Sequence, residues 1–209
     1  MTSSRLQFLF DFGSPNAYFC HKVIPAIAAR TGVEFEYVPI LLGGLFKLTG
    51  NRSPAEAFAG IVNKVAYERL ETQRFIARNN IDGYRQNPFW PINTLQIMRG
   101  AMAAQRQGCF MPYVNAVYAH VWEQQRNMED PEIIVQSLRE AGLDGKAIYA
   151  GTQDPEVKAA LLANTQAAFE RGAFGSPTFF VGDEIFFGKD RLREVEEEIA
   201  RVAALNQAS

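Results

Sequence analysis

Cysteine and histidine are the scarcest reactive residues of this 209-residue chain, with two of each. Cys20 and Cys109 stand far apart and form no C-x-x-C pair. That argues against a dithiol redox centre and against a disulfide scaffold. His21 and His120 offer no zinc-ligand spacing, and neither lies in a recognisable catalytic-triad setting. There is no block of basic residues and the net charge is −2, so neither nucleic acid nor an acidic membrane surface is an expected partner. No apolar run reaches the roughly 20 residues that span a bilayer. Met1-Thr2-Ser3-Ser4-Arg5 leads straight into a β-rich run without the features of a secretory leader. With so little cysteine, the expectation is a reducing cytoplasmic setting. Internal repeats and low-complexity tracts are also missing. What remains is 47% hydrophobic and 21% charged, the balance of a globular chain able to bury a core.

The chain is organised around its first strand and turn. Leu6 to Phe12 reads as a strand that breaks at Gly13. Ser14 then stands where a helix N-cap belongs, with Pro15 at the first helical position. Such a strand–turn–helix leaves the Ser14 hydroxyl at the positive end of a helix, a place that suits an anion and a thiolate in particular. The helix is expected over 15 to about 30, with a kink or early stop at Pro25. Thr31-Gly32 ends it, and the alternation over 33–38 predicts a second strand parallel to the first.

Residues 39–52 read as an apolar, glycine-containing loop. Ser53-Pro54-Ala55-Glu56 is a capping box. Helices are then predicted over 55–77, 94–107, 112–125, 131–141, briefly near 146–149, and over 155–171, with no convincing strand among them. An aromatic turn segment, 80–91, separates the first two. Ser176 to Val181 and Glu184 to Phe187 read as a hairpin around Gly182-Asp183, and a charged final helix runs to about Leu205. A β-α-β unit followed by β-β-α, with helices between, predicts an α/β thioredoxin-like core carrying an all-helical insertion. The domain expectation is 1–52 with 172–209 for the core and 53–171 for the insertion.

In such a core the first helix start faces the proline that opens the third strand, here Pro177. A cis bond there leaves the preceding residue, Ser176, with its backbone free to pair with a peptide. Disulfide chemistry would need a cysteine where Ser14 stands, and Ala17 follows three residues on. A hydroxyl holds no disulfide, but it can donate to a bound thiolate and lower that thiol's pKa. Glutathione as the source of the thiol makes sense of the arrangement.

These segments resemble the 2-hydroxychromene-2-carboxylate isomerases and the related kappa-class glutathione transferases over essentially the full length. The resemblance is carried by Asp11-Phe12-Gly13-Ser14-Pro15, by Leu42-Gly43-Gly44-Leu45-Phe46-Lys47 with Thr49-Gly50-Asn51, and by Pro91-Ile92-Asn93-Thr94. It continues in Gly172-Ala173-Phe174-Gly175-Ser176-Pro177-Thr178 and Phe187-Gly188-Lys189-Asp190-Arg191-Leu192. Each motif alone is weak, and their order and spacing together are specific. The resemblance implies that Ser14 activates the glutathione sulfur, and that Ser176, Phe187, Gly188, Lys189 and Asp190 hold the tripeptide. It places Lys47, Asn51, Arg52 and Tyr84 toward a small aromatic substrate, and it implies a homodimer. Asn16 departs from the Tyr common at that position in the family.

The activity so implied is isomerisation of a 2-hydroxychromene-2-carboxylate to its trans-hydroxybenzylidenepyruvate isomer by reversible thiolate addition. Two other readings stay open. One is a kappa-type transferase or peroxidase with the same thiolate site and a different electrophile. The other is a thioredoxin-fold binding protein without catalysis. Tyr84 and Trp90 also read simply as packing residues, Cys20 as a small core residue, and Asp11 as a strand-end residue with a structural hydrogen bond.

Overall fold

The computed structural model describes residues 6–208; the start of the chain, where the leader reading falls, lies outside the described residues. β1 (Leu6–Phe10) pairs in parallel with β2 (Glu36–Pro39), and Phe8 stands opposite Tyr37. β3 (Thr178–Val181) and β4 (Glu184–Phe187) complete an antiparallel hairpin on the other side of β1, giving the order β2-β1-β3-β4. The hairpin turns at Gly182-Asp183, as its two-residue spacing predicts.

α1 (Pro15–Thr31) joins the two parallel strands. Ser14 caps it by accepting the Ala17 N–H, and Gly32 closes it in a left-handed conformation. Of the kink or early stop expected at Pro25, the stop does not occur: the helix continues through it, and buried Ile24 and Ile27 hold it on the core. Between β2 and β3 run α2 (Leu42–Thr49), α3 (Pro54–Phe58), α4 (Lys64–Asn79) and α5 (Leu95–Arg106). After them come α6 (Phe110–Trp122), α7 (Pro131–Glu140), α8 (Gly145–Gly151) and α9 (Pro155–Glu170). A single 3-10 turn (Lys189–Arg191) precedes α10 (Leu192–Ala208).

Two local expectations are corrected. Residues 39–52 are not all loop: α2 forms despite Gly43 and Gly44, because Leu45 buries into the cluster that contains Ala168 of α9. Tertiary burial there outweighs roughly 1 kcal/mol of helix propensity lost at each glycine. The helix expected over 55–77 is two helices, broken at residues 59–63, where Asn63 adopts a left-handed φ of 67°.

The strand pattern divides the core between the two sheet faces. Phe8, Phe10 and Phe179 are fully buried and pack ring to ring with Tyr37 and with Tyr118 of α6. Each such ring is worth about 2–3 kcal/mol over exposure. Leu9 and Phe180 face the other way, onto Ile40, Leu45 and Ala168. Phe12 continues the first layer into the helical insertion through Tyr113 and Tyr118. The sheet and the inserted helices therefore meet at the end of β1, where the chain leaves for Ser14.

Candidate functional site

The segment from Asp11 to Ser14 is held by contacts from distant parts of the chain. The Asp11 N–H donates to Ser176 Oγ (3.1 Å) and the Phe12 N–H to Met98 Sδ (3.5 Å). The two tryptophans donate to consecutive carbonyls: Trp122 Nε1 to Phe12 O (2.8 Å) and Trp90 Nε1 to Gly13 O (2.9 Å). The Gly13 N–H reaches Asp11 Oδ1 (2.8 Å), and the Ser14 N–H reaches Asp11 O (3.1 Å). A turn with this many fixed groups presents Ser14 in one orientation.

The Ser14 hydroxyl meets Ser176. Its oxygen accepts the Ala17 N–H (3.2 Å), and the hydroxyl donates to the carbonyl oxygen of Ser176 (2.9 Å). A carbonyl only accepts, so the serine proton must lie in this bond. The Ser176-Pro177 peptide is cis, and the Ser176 N–H has no partner among the described residues. Ser14 is 6% exposed and Ser176 8%. The two serines form a closed contact. A separate cleft of about 270 Å³ between β2 and α9 is lined by Gln7, Glu36, Asn164 and Arg171 and by none of the expected site residues.

Asp11 ties this turn to the helices that flank it. Its Oδ2 accepts from the Leu42 N–H at the start of α2 (2.8 Å) and from Thr94 Oγ1 just before α5 (3.1 Å). Burial pushes its carboxyl pKa up, and the hydrogen bonds from Leu42, Gly13 and Thr94 pull against that shift.

The expected peptide-binding residues of the C-terminal half lie next to Ser176. Phe187 packs on Phe174 with ring centroids 4.5 Å apart and lies across Gly175, where a Cβ would stand 2.6 Å from the Phe187 ring. Gly188, at φ 96°, donates its N–H to Pro177 O (3.0 Å). Lys189 is buried; its ammonium pairs with Asp190 (2.7 Å) and sits 5.2 Å from the centre of the Phe75 ring. Asp190 itself is exposed at the turn that precedes α10.

Of the residues expected to face substrate, Asn51 is tied closest to this wall: its Nδ2 donates to Phe174 O (2.8 Å). Arg52 follows it, its N–H on Asn51 Oδ1 (2.8 Å). Lys47 and Arg52 are exposed, and neither has an ion-pair partner among the described residues. Tyr84 is half-buried against Phe19 and Trp122, and its hydroxyl donates to Gln86 (2.8 Å). Burial pushes its phenol up to about 12. Its link to the Ser14 turn is indirect, through the Trp122 indole on Phe12 O.

Sequence reasoning gives Ser14, Ser176, Phe187, Gly188 and Asn51, which the structure places in one run of neighbouring contacts through Phe174, Gly175 and Pro177. It misses the part played by Trp90, Trp122 and Thr94. The only local signal for these was the Trp90-Pro91 and Asn93-Thr94 pattern ahead of α5, because the partners lie 77 to 110 residues away in the chain.

A family model of the DSBA-like thioredoxin domain matches residues 5–200, and the chain belongs to that family. It is 28% identical over 198 residues to a 2-hydroxychromene-2-carboxylate isomerase of Sphingobium xenophagum, covering 93% of this chain and 97% of the relative. It is 23% identical to glutathione S-transferase kappa 1 of Caenorhabditis elegans over 92% of this chain and 89% of the relative. A solved structure of a 2-hydroxychromene-2-carboxylate isomerase superposes with a TM-score of 0.83 at 25% identity, covering 97% of this chain and 98% of that one.

Proposed function

We propose that this member of the DSBA-like family is a glutathione-dependent isomerase acting on a 2-hydroxychromene-2-carboxylate-type substrate. The observation that carries the reading is the contact of the Ser14 hydroxyl, at the start of α1, with the residue before the cis Pro177. The positions that would need cysteine for disulfide exchange hold Ser14 and Ala17 instead.

In this reading the tripeptide lies along Ser176, Phe187, Gly188 and Asp190, with the Asp190 carboxylate receiving its free amine. Lys189 acts by holding Asp190 in place. The glutathione thiol loses its proton to solvent, and Ser14 Oγ–H and the helix start stabilise the thiolate. The cyclic hemiketal first opens: its ring C2–O bond breaks as the 2-hydroxyl proton leaves, the ring oxygen takes up a proton as a phenol, and C2 becomes the ketone of the cis-alkene. The sulfur then adds to the alkene carbon β to that ketone, and the π electrons move onto the carbonyl oxygen as an enolate. The former double bond is now single and rotates. Collapse of the enolate re-forms the double bond in the other geometry and expels the same thiolate. Nothing is oxidised or reduced, and one hard rotation becomes two easier steps. Lys47, a cation at the end of α2 without an ion-pair partner among the described residues, pairs with the substrate carboxylate or the enolate, with Asn51 and Arg52 beside it. Tyr84 backs the aromatic wall.

The test is an ultraviolet difference spectrum of the protein with glutathione at neutral pH. Wild type is expected to show a thiolate band at about 240 nm, reflecting a bound thiol pKa well below the free value of about 8.5. Ser14→Ala is expected to lose the band and the isomerase activity together. The absence of a band in wild type would sink the thiolate mechanism. A band with turnover of a halogenated nitroarene and none of the chromene would move the protein to the kappa-type transferases.

A further inference from the structure

We infer that Ser14 is latched shut in the free protein, and that only a thiol carried on a peptide-like backbone releases it. The inference rests on the reading of Ser14 as the thiol-activating hydroxyl. In the structure that hydroxyl has no proton to offer a sulfur: its single O–H is given to the Ser176 carbonyl at 2.9 Å, and one of its lone pairs is taken by the Ala17 N–H. The latch is well braced. Ser176 is fixed through its own hydroxyl, which accepts the Asp11 N–H, and the Ser14 turn is fixed by the two indoles and by Asp11.

The key to the latch is the Ser176 N–H, which has no partner among the described residues, beside the Ser176 carbonyl that holds the Ser14 hydroxyl. An extended peptide pairs with such a residue by accepting at its N–H and donating at its C=O, as an added strand does at a sheet edge. A cysteinyl residue lying there brings its own N–H to the Ser176 carbonyl, and the oxygen, now shared between two donors, holds the Ser14 hydroxyl less strongly. The hydroxyl proton stays on Oγ and turns toward the nearest new acceptor, the cysteinyl sulfur. Recognition of the backbone and activation of the thiol thus become one event. Simple alkanethiols carry no such N–H, leave the latch closed and keep the ordinary pKa of a free alkanethiol.

Two peptides distinguish this arrangement from a Ser14 that merely touches sulfur: glutathione, and γ-glutamyl-alanyl-glycine, which has the same backbone without sulfur. Their affinities are compared by calorimetry for wild type, Ser14→Ala and Ser14→Gly, the glycine variant being the milder change at an N-cap. Glutathione is expected to bind both variants more weakly than wild type. The sulfur-free peptide is expected to bind both variants more tightly, by roughly three- to tenfold, since the one competing neutral hydrogen bond is gone. This inversion is the signature of the latch, and a lost helix cap acts equally on both ligands. A sulfur-free peptide that binds the variants no more tightly than wild type, or shows no measurable binding to any of the three while glutathione binds, overturns the latch and leaves the proposed function standing. Failure of glutathione to bind wild type overturns the reading beneath it.

Discussion

The two lysines of the site are in opposite situations. Lys189 is buried, ion-paired to Asp190 and set against the Phe75 ring. Its charge is committed to the protein. Lys47 stands exposed on the last turn of α2, where a cation complements the helix dipole and no acidic partner is described. A cation held in water by a fixed helix is suited to meet a charged substrate. Lys47→Gln is therefore expected to leave the glutathione thiolate band unchanged and to alter stability by less than about 0.5 kcal/mol. Turnover of a carboxylate-bearing substrate should fall roughly 10- to 100-fold. Steady-state kinetics beside the difference spectrum check both halves. Unchanged turnover would return Lys47 to the ordinary class of solvated surface lysines.

At the level of elements, α4 and α5 show how unevenly the insertion is held. α4 has no buried residue, and Val65, Tyr67 and Leu70 are exposed on it. α5 buries Ile97, Met98, Ala101, Met102, Ala103 and Ala104. Local opening follows buried contact, so α4 amides are expected to exchange with deuterium at least about 100-fold faster than those of central α5. Equal protection would mean that α4 is covered in solution. The same contrast explains what the sequence makes legible. β1, α1, the hairpin and the caps at Ser14, Ser53, Asp130 and Asp154 are written in adjacent residues, and local chemistry sets them. α2 is not, because its Gly-Gly start carries low propensity and its stability comes from packing beside α9. Within the site, Ser14 and Ser176 are legible from strand–turn–helix and X-Pro patterns. The indoles of Trp90 and Trp122 on the Gly13 and Phe12 carbonyls are not, since long-range contacts leave no mark on their neighbours in sequence.

At the scale of the whole molecule, one titrating group lies where sheet, first helix and insertion meet. His21 of α1 stacks on Tyr118 of α6 (4.8 Å) and shares a hydrogen bond with the Tyr37 hydroxyl of β2 (3.0 Å). Burial, helped by neighbouring Lys22, lowers its pKa from 6.5 to about 4, while Glu123 and a side-chain bond to Asn115 work the other way. The folded protein therefore keeps His21 neutral where the unfolded chain has already taken up a proton. Above pH 6.5 both states are neutral and His21 leaves stability independent of pH. As pH falls from 6.5 toward 4, proton uptake stabilises only the unfolded chain, and stability drops by up to about 3 kcal/mol, after which the loss levels off. Urea unfolding at pH 7.5, 5.5 and 4.0 measures the drop, and His21→Gln isolates it from the titrating carboxylates. The variant should be less stable than wild type at pH 7.5, because it loses the stacked ring and the fitted hydrogen bond, yet it should lose less on acidification. Parallel curves for the two proteins would mean that His21 is protonated in the folded state, and that the packing of Tyr37 and Tyr118 around it opens well above pH 4.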